Sequence, residues 1–144
     1  MFYGEYEHTL DRKDRIIVPS KFRGIFHEHC IEKFYITRGL DRCLFVFPPD
    51  EWKAQDKKFK EMPFTKQESR QFNRLYFSGA CEVSCDRQGR ILLPQYLKDY
   101  AAIKTQIMIV GVSDRIEIWA LEHWKTYFKE SVVSFEQIAE KLIE

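Results

Sequence analysis

Residues 1–19 recur as residues 76–94 at a constant spacing of 75 and without a gap. Phe2-Tyr3-Gly4-Glu5-Tyr6-Glu7 aligns with Phe77-Ser78-Gly79-Ala80-Cys81-Glu82. Asp11-Arg12-Lys13-Asp14-Arg15-Ile16 aligns with Asp86-Arg87-Gln88-Gly89-Arg90-Ile91, and Pro19 with Pro94. A chain built from two copies of one unit tends to pair them about a pseudo-two-fold axis, because neither copy can bury its apolar face alone. It then presents the same chemical group twice. Here that group is a short turn with an aspartate at its start and an arginine at its end.

The repeat extends beyond its first strand. Phe22, Ile25 and Phe26 follow Pro19 at helical spacing, as Leu97, Tyr100 and Ala101 follow Pro94. Proline suits the first turn of a helix, where its missing N–H would have no partner anyway. Each copy therefore reads as strand, turn, short strand and short amphipathic helix. A hairpin follows in each: Lys33–Thr37 returning through Cys43–Phe47, and Gln106–Gly111 returning through Ile116–Trp119. Each hairpin turn contains Asp-Arg, and each copy closes on a helix carrying a tryptophan, Trp52 or Trp124. Thr65-Lys66-Gln67-Glu68 has the capping-box spacing and predicts a helix to about Tyr76 that joins the copies. Ser134-Phe135-Glu136-Gln137 has the same spacing and predicts a C-terminal helix through Ile138, Leu142 and Ile143.

The expected organisation is a first repeat over 1–62, a linking helix over 63–76, a second repeat over 77–130 and a C-terminal helix over 131–144. The chain of 144 residues is one domain in length. Each half would be marginal alone, since small cores bury too little surface, and two fused halves can share one core. The aromatic share of 15% can supply that core or an oligomer interface. Net charge is +1, so no global basic signal points to nucleic acid. The basic residues are local: Arg12, Lys13 and Arg15; Arg87 and Arg90; and a stretch from Lys53 to Arg74 diluted by acidic residues. No run of about 20 apolar residues predicts a membrane span. The N-terminus lacks signal-peptide character, so a cytoplasmic protein is expected.

Other groups carry less. Cys30, Cys43, Cys81 and Cys85 lack metal-finger spacing. Buried free thiols are the reading, with zinc or a disulfide as alternatives. His27-Glu28-His29-Cys30 has ligand chemistry but no second cluster to complete a site. No metal, cofactor or catalytic residue is assigned: there is no nucleophile elbow, phosphate loop or paired zinc histidines.

The two D-x-x-x-R turns carry the most information. One such turn is ordinary, since an aspartate accepts N–H groups of its own turn and an arginine can pair with it. Two in register, each with an arginine directly after the aspartate, suggest a presented group. Asp14 and Gly89 occupy the fourth position, which fits a left-handed backbone. Such a turn could lift Arg15 and Arg90 towards guanine or phosphate. Asp11 and Asp86 would hold the turns in shape.

These residues resemble the MraZ proteins of bacteria along nearly the whole chain. The resemblance rests on the Met-Phe-x-Gly start, on Asp11 to Arg15 and Asp86 to Arg90 each followed by Ile-x-x-Pro, and on the strand-turn-strand into Trp119. Asp14 departs from the glycine more usual in that family. The resemblance implies an α+β fold like that of AbrB and MazE-type factors, a swapped-hairpin β-barrel built from both copies. It implies a homo-oligomeric ring, commonly of eight subunits, and a nucleoid-associated transcriptional regulator. That regulator would bind double-stranded DNA at tandem promoter boxes and repress the division and cell-wall gene cluster. The implied DNA-binding residues are Arg12, Lys13, Arg15, Arg87 and Arg90, with Asp11, Asp14, Asp86 and Gly89 shaping the turns. A ring-forming scaffold that binds acidic peptides through the same turns is the alternative.

Overall fold

The computed structural model describes residues 1–143. Glu144, the last residue of the expected C-terminal segment, lies outside the described residues. The first copy contains β1 (Phe2–Thr9), β2 (Arg15–Ile17), α1 (Ser20–Glu28), β3 (Phe34–Arg38), β4 (Leu44–Phe47) and α2 (Pro49–Lys60). Helix α3 (Gln67–Ser78) leads into the second copy. There follow β5 (Cys81–Val83), β6 (Arg90–Leu92), α4 (Gln95–Tyr100), β7 (Gln106–Ser113), β8 (Ile116–Ala120), α5 (Leu121–Val132) and α6 (Phe135–Ile143).

The copies exchange strands. The larger antiparallel sheet has the order β1-β7-β8-β4-β3-β5, and a smaller ladder joins β2 to β6. The first strand of each copy thus pairs with the hairpin of the other, β1 with β7 and β5 with β3. Ile16 faces Ile91 across the small ladder, and these two occupy the same place in the repeat. Phe45 faces Glu117 where β4 meets β8. The pseudo-two-fold axis passes through both pairs.

Both faces of the large sheet are covered, which explains why its central strands read as continuous apolar runs. Leu44, Val46, Ile107, Ile109, Ile116 and Ile118 point into the main core with Ile16, Ile91, Phe22 and Leu97. Their alternate neighbours Phe45, Phe47, Val110 and Trp119 point outwards, against Trp52, Phe59, Phe72 and Trp124 from α2, α3 and α5. The period-two alternation of each strand distributes its side chains between the two layers. Gly4 has φ 96 and pairs with Gly111, where an added Cβ would lie 2.4 Å from the Tyr3 nitrogen.

The described strands thus form two antiparallel ladders, of six strands and of two. Several local expectations need correction. Phe2 is fully buried in an eight-residue strand, but its repeat partner Phe77 lies in α3. Helix α3 continues to Ser78, and β5 is left with three residues. The capping box at Thr65 does not form. Lys66 caps α3 without a side-chain bond, and the Thr65 carbonyl instead accepts from Arg70. Pro19 and Pro94 occupy the cap position, one residue ahead of the first turn. Only Cys43 is a fully buried thiol. Cys81 and Cys85 are half-buried, Cys85 lies beyond the end of β5, Cys30 is exposed, and all four are free.

Candidate nucleic-acid interface

Each arginine-bearing turn is shaped by one carboxylate. Asp11 Oδ1 accepts the backbone N–H groups of Lys13 at 2.8 Å and Arg15 at 3.0 Å, and Oδ2 accepts Arg15 Nε at 2.8 Å. Asp86 repeats this: Oδ1 accepts Gln88 and Arg90 N–H at 2.9 Å each, and Oδ2 accepts Arg90 Nε at 2.8 Å. The Arg15 N–H, then charge and hydrogen bonds from the same turn, hold the Asp11 carboxyl below its ordinary value of 3.8 against a desolvation effect of opposite sign. The Arg90 N–H leads the same balance at Asp86. The fourth residues are left-handed, with Asp14 at φ 59 and Gly89 at φ 77.

The turns are also sewn to each other. Val18 of the first copy donates its N–H to the Gly89 carbonyl, and Leu93 of the second donates to the Asp14 carbonyl, both at 2.9 Å. Because β2 and β6 run antiparallel over three residues, the turns lie at opposite ends of a ladder roughly 10 Å long. Arg90 bridges it, with Nη1 4.0 Å from Asp11 Oδ2.

Arg15 and Arg90 are not lifted free. Their side chains are 27% and 25% exposed and fold back on their own aspartates. Nε is occupied in each, and no hydrogen bond among the described residues takes up the Nη atoms. Arg12, Lys13 and Arg87 are the exposed cations of the tips, and Gln88 stands where the first copy has Lys13. The two turns therefore differ in charge at their outer surface.

Two residues not singled out from the sequence prove central. Lys98, on α4, donates to Asp14 Oδ1 at 2.6 Å. Arg23, on α1, lies across Gly89, where an added Cβ would stand 2.5 Å from its Cδ, and donates from Nε to the Val18 carbonyl. Arg23 and Lys98 align at the spacing of 75, and each supports the turn of the other copy. That alignment of two basic residues was the available signal. Beside Arg23 a surface cleft of about 360 Å³ opens, lined by His27, Cys85 and Arg87 among others. Among the described residues no group of three or more histidines, cysteines or carboxylates could hold a metal ion. No described helix is long and apolar enough to cross a membrane.

Together these features define a two-copy α+β protein whose pseudo-symmetric frame presents a pair of carboxylate-braced arginine turns. The family model described as MraZ protein matches residues 1–75 and again residues 76–144. A protein of Carboxydothermus hydrogenoformans named "Transcriptional regulator MraZ" is 49% identical over 144 residues, all of this chain and 98% of its own length. The chain belongs to the MraZ family.

Proposed function

We propose that this protein is a transcriptional regulator that binds double-stranded DNA through both turns. The observation that carries the reading is the duplicated Asp clamp. It rigidifies two loop tips before any partner arrives, so little ordering entropy remains to be lost on binding. Arg12, Lys13 and Arg87 meet phosphates, which position the protein without reading sequence. Arg15 and Arg90 keep an Nη edge for base contact in the major groove. Asp11, Asp86, Asp14 and Gly89 set the turn geometry. The relative's name, that of a transcriptional regulator and not of an enzyme, agrees with this reading.

One bidentate arginine contributes roughly 1–3 kcal/mol of discrimination. A specific site needs about 4–10 kcal/mol over non-specific DNA. A ring of about eight copies on tandem promoter boxes closes that gap, because each later contact is intramolecular. Repression of the division and cell-wall cluster, from a nucleoid-bound ring, follows as the regulatory output. The exchanged strands and the small β2-β6 ladder over a shared core constitute a swapped-hairpin barrel in this reading. The segments 1–62, 63–76, 77–130 and 131–144 then act as one folded unit.

Fluorescence anisotropy on a labelled duplex from upstream of the protein's own gene tests this. Wild type is expected to bind well above a scrambled duplex. The log–log salt slope should be near −0.9 per phosphate neutralised. Arg87→Ala should weaken specific and scrambled binding alike, and Arg15→Ala should lower the specific component alone. Equal binding to both duplexes by wild type would sink the reading and favour a scaffold.

A further inference from the structure

Helices α3 and α6 are repeat counterparts with opposite fates. Each follows the tryptophan helix of its copy. Ser69, Phe72 and Tyr76 of α3 share the spacing of Phe135, Ile138 and Leu142 of α6. In the first copy, Phe72 packs on Phe59 at 4.6 Å between ring centres, Tyr76 packs on Phe59 at 5.2 Å, and Tyr76 is buried. In the second copy, α6 buries none of its residues, and Phe135 and Leu142 are 70% and 79% exposed.

The helices that cover the outer face of the large sheet leave clefts between them. Beside α5 a cleft of about 330 Å³ is lined by Val112, Trp119, Trp124 and Tyr127. A second, of about 320 Å³, runs on beside α2 past Phe47, Lys58 and Phe59. Leu40, at the tip of the first hairpin, lines both and is 60% exposed. The clefts also share Phe45 and Arg115, so the trough is continuous, and its apolar side chains alternate with Asp41, Asp114, Arg115 and Glu117.

We propose that α6 of one molecule seats its Phe135-Ile138-Leu142 face in this trough on a second copy. The proposal rests on the ring reading and names its interface. α3 already demonstrates that a helix of this spacing packs on this layer. The short connection argues for a second copy over the chain's own trough. Residues 61–66 separate α2 from α3, whereas only Val133 and Ser134 separate α5 from α6. Ser134 is held on both sides by backbone bonds: its N–H donates to the Ser131 carbonyl and its carbonyl accepts from the Ile138 N–H. A helix on one copy and a trough on the next is a head-to-tail contact, the kind that generates rings or filaments.

The test is light scattering after size exclusion, on the full chain. Wild type is expected to be an oligomer. Leu40→Glu and Leu142→Glu both alter exposed side chains, so each should keep its circular dichroism and run as a monomer. An equimolar mixture of the two variants should recover a dimer and stop there, because one intact helix and one intact trough remain. If wild type assembles and the single variants assemble equally well, the inference fails and the ring survives. If the mixture stays monomeric, the contact is not head-to-tail and the inference fails. A monomeric wild type overturns both the inference and the ring.

Discussion

Lys98 Nζ lies 2.6 Å from Asp14 Oδ1, so a helix of the second copy holds the arginine turn of the first. The pair is lopsided: the Lys98 side chain is 9% exposed and that of Asp14 is 39% exposed. Removing the carboxylate strands a nearly buried cation, whereas removing the ammonium leaves a carboxylate that water can reach. Asp14→Asn is therefore expected to cost about 1–3 kcal/mol. Lys98→Met should cost less than about 1 kcal/mol. Urea denaturation of the two variants decides the order, and a larger loss for Lys98→Met would contradict it.

The turn clamps carry a pH signature. The carboxyls of Asp11 and Asp86 are held below 3.8 in the folded protein. A depressed carboxyl contributes stability that is present above its unfolded value and lost as pH falls through the folded one. The clamps should persist down to about pH 4 and loosen only below it. Carboxyl carbon shifts followed by NMR should give midpoints below 3.8 for both residues. A midpoint at or above that value for either would show that its turn does not close in solution.

Two glycines in different settings predict opposite signs. At Gly111 an added Cβ would meet the Tyr3 nitrogen at 2.4 Å and the Phe2 carbonyl carbon at 2.6 Å, which are backbone atoms with little room to move. Gly111→Ala should cost more than about 2 kcal/mol. Gly24 sits in α1 with open space where a Cβ would stand. Gly24→Ala should add about 0.5–1 kcal/mol by lowering the entropy lost on helix formation. Thermal melts of the two variants should move in opposite directions.

Ile16 and Ile91 face each other on the pseudo-two-fold axis, 1% and 3% exposed. Truncating either to alanine opens a cavity in the same shared core. Each is expected to cost about 2–5 kcal/mol, and the two losses should agree within about 1 kcal/mol. A loss confined to one variant would mean that the copies do not share their core equally.

The duplication, the clamped turns and the strand-turn-strand-helix order of each copy were legible in the chain itself. Repeat spacing, Asx chemistry and side-chain periodicity are local properties, and residues such as Asp11, Asp86, Phe22 and Leu97 carry them without help from distant segments. The residues that support the turns were not legible. Arg23 and Lys98 read as ordinary helix cations, because their partners Gly89 and Asp14 lie in the other copy and only the exchange of strands brings them together. Local signals also failed where a longer element competed. Phe77 repeats Phe2, yet α3, anchored by Phe72 and Tyr76, runs through the position and shortens β5. The outward reach expected of Arg15 and Arg90 yielded to a local contact, since each has the carboxylate of its own turn 2.8 Å away and is held against it. Sequence determined the units and their chemistry through short-range geometry. The fold determined which unit supports which, because burial and ion pairing act between residues that are distant along the chain.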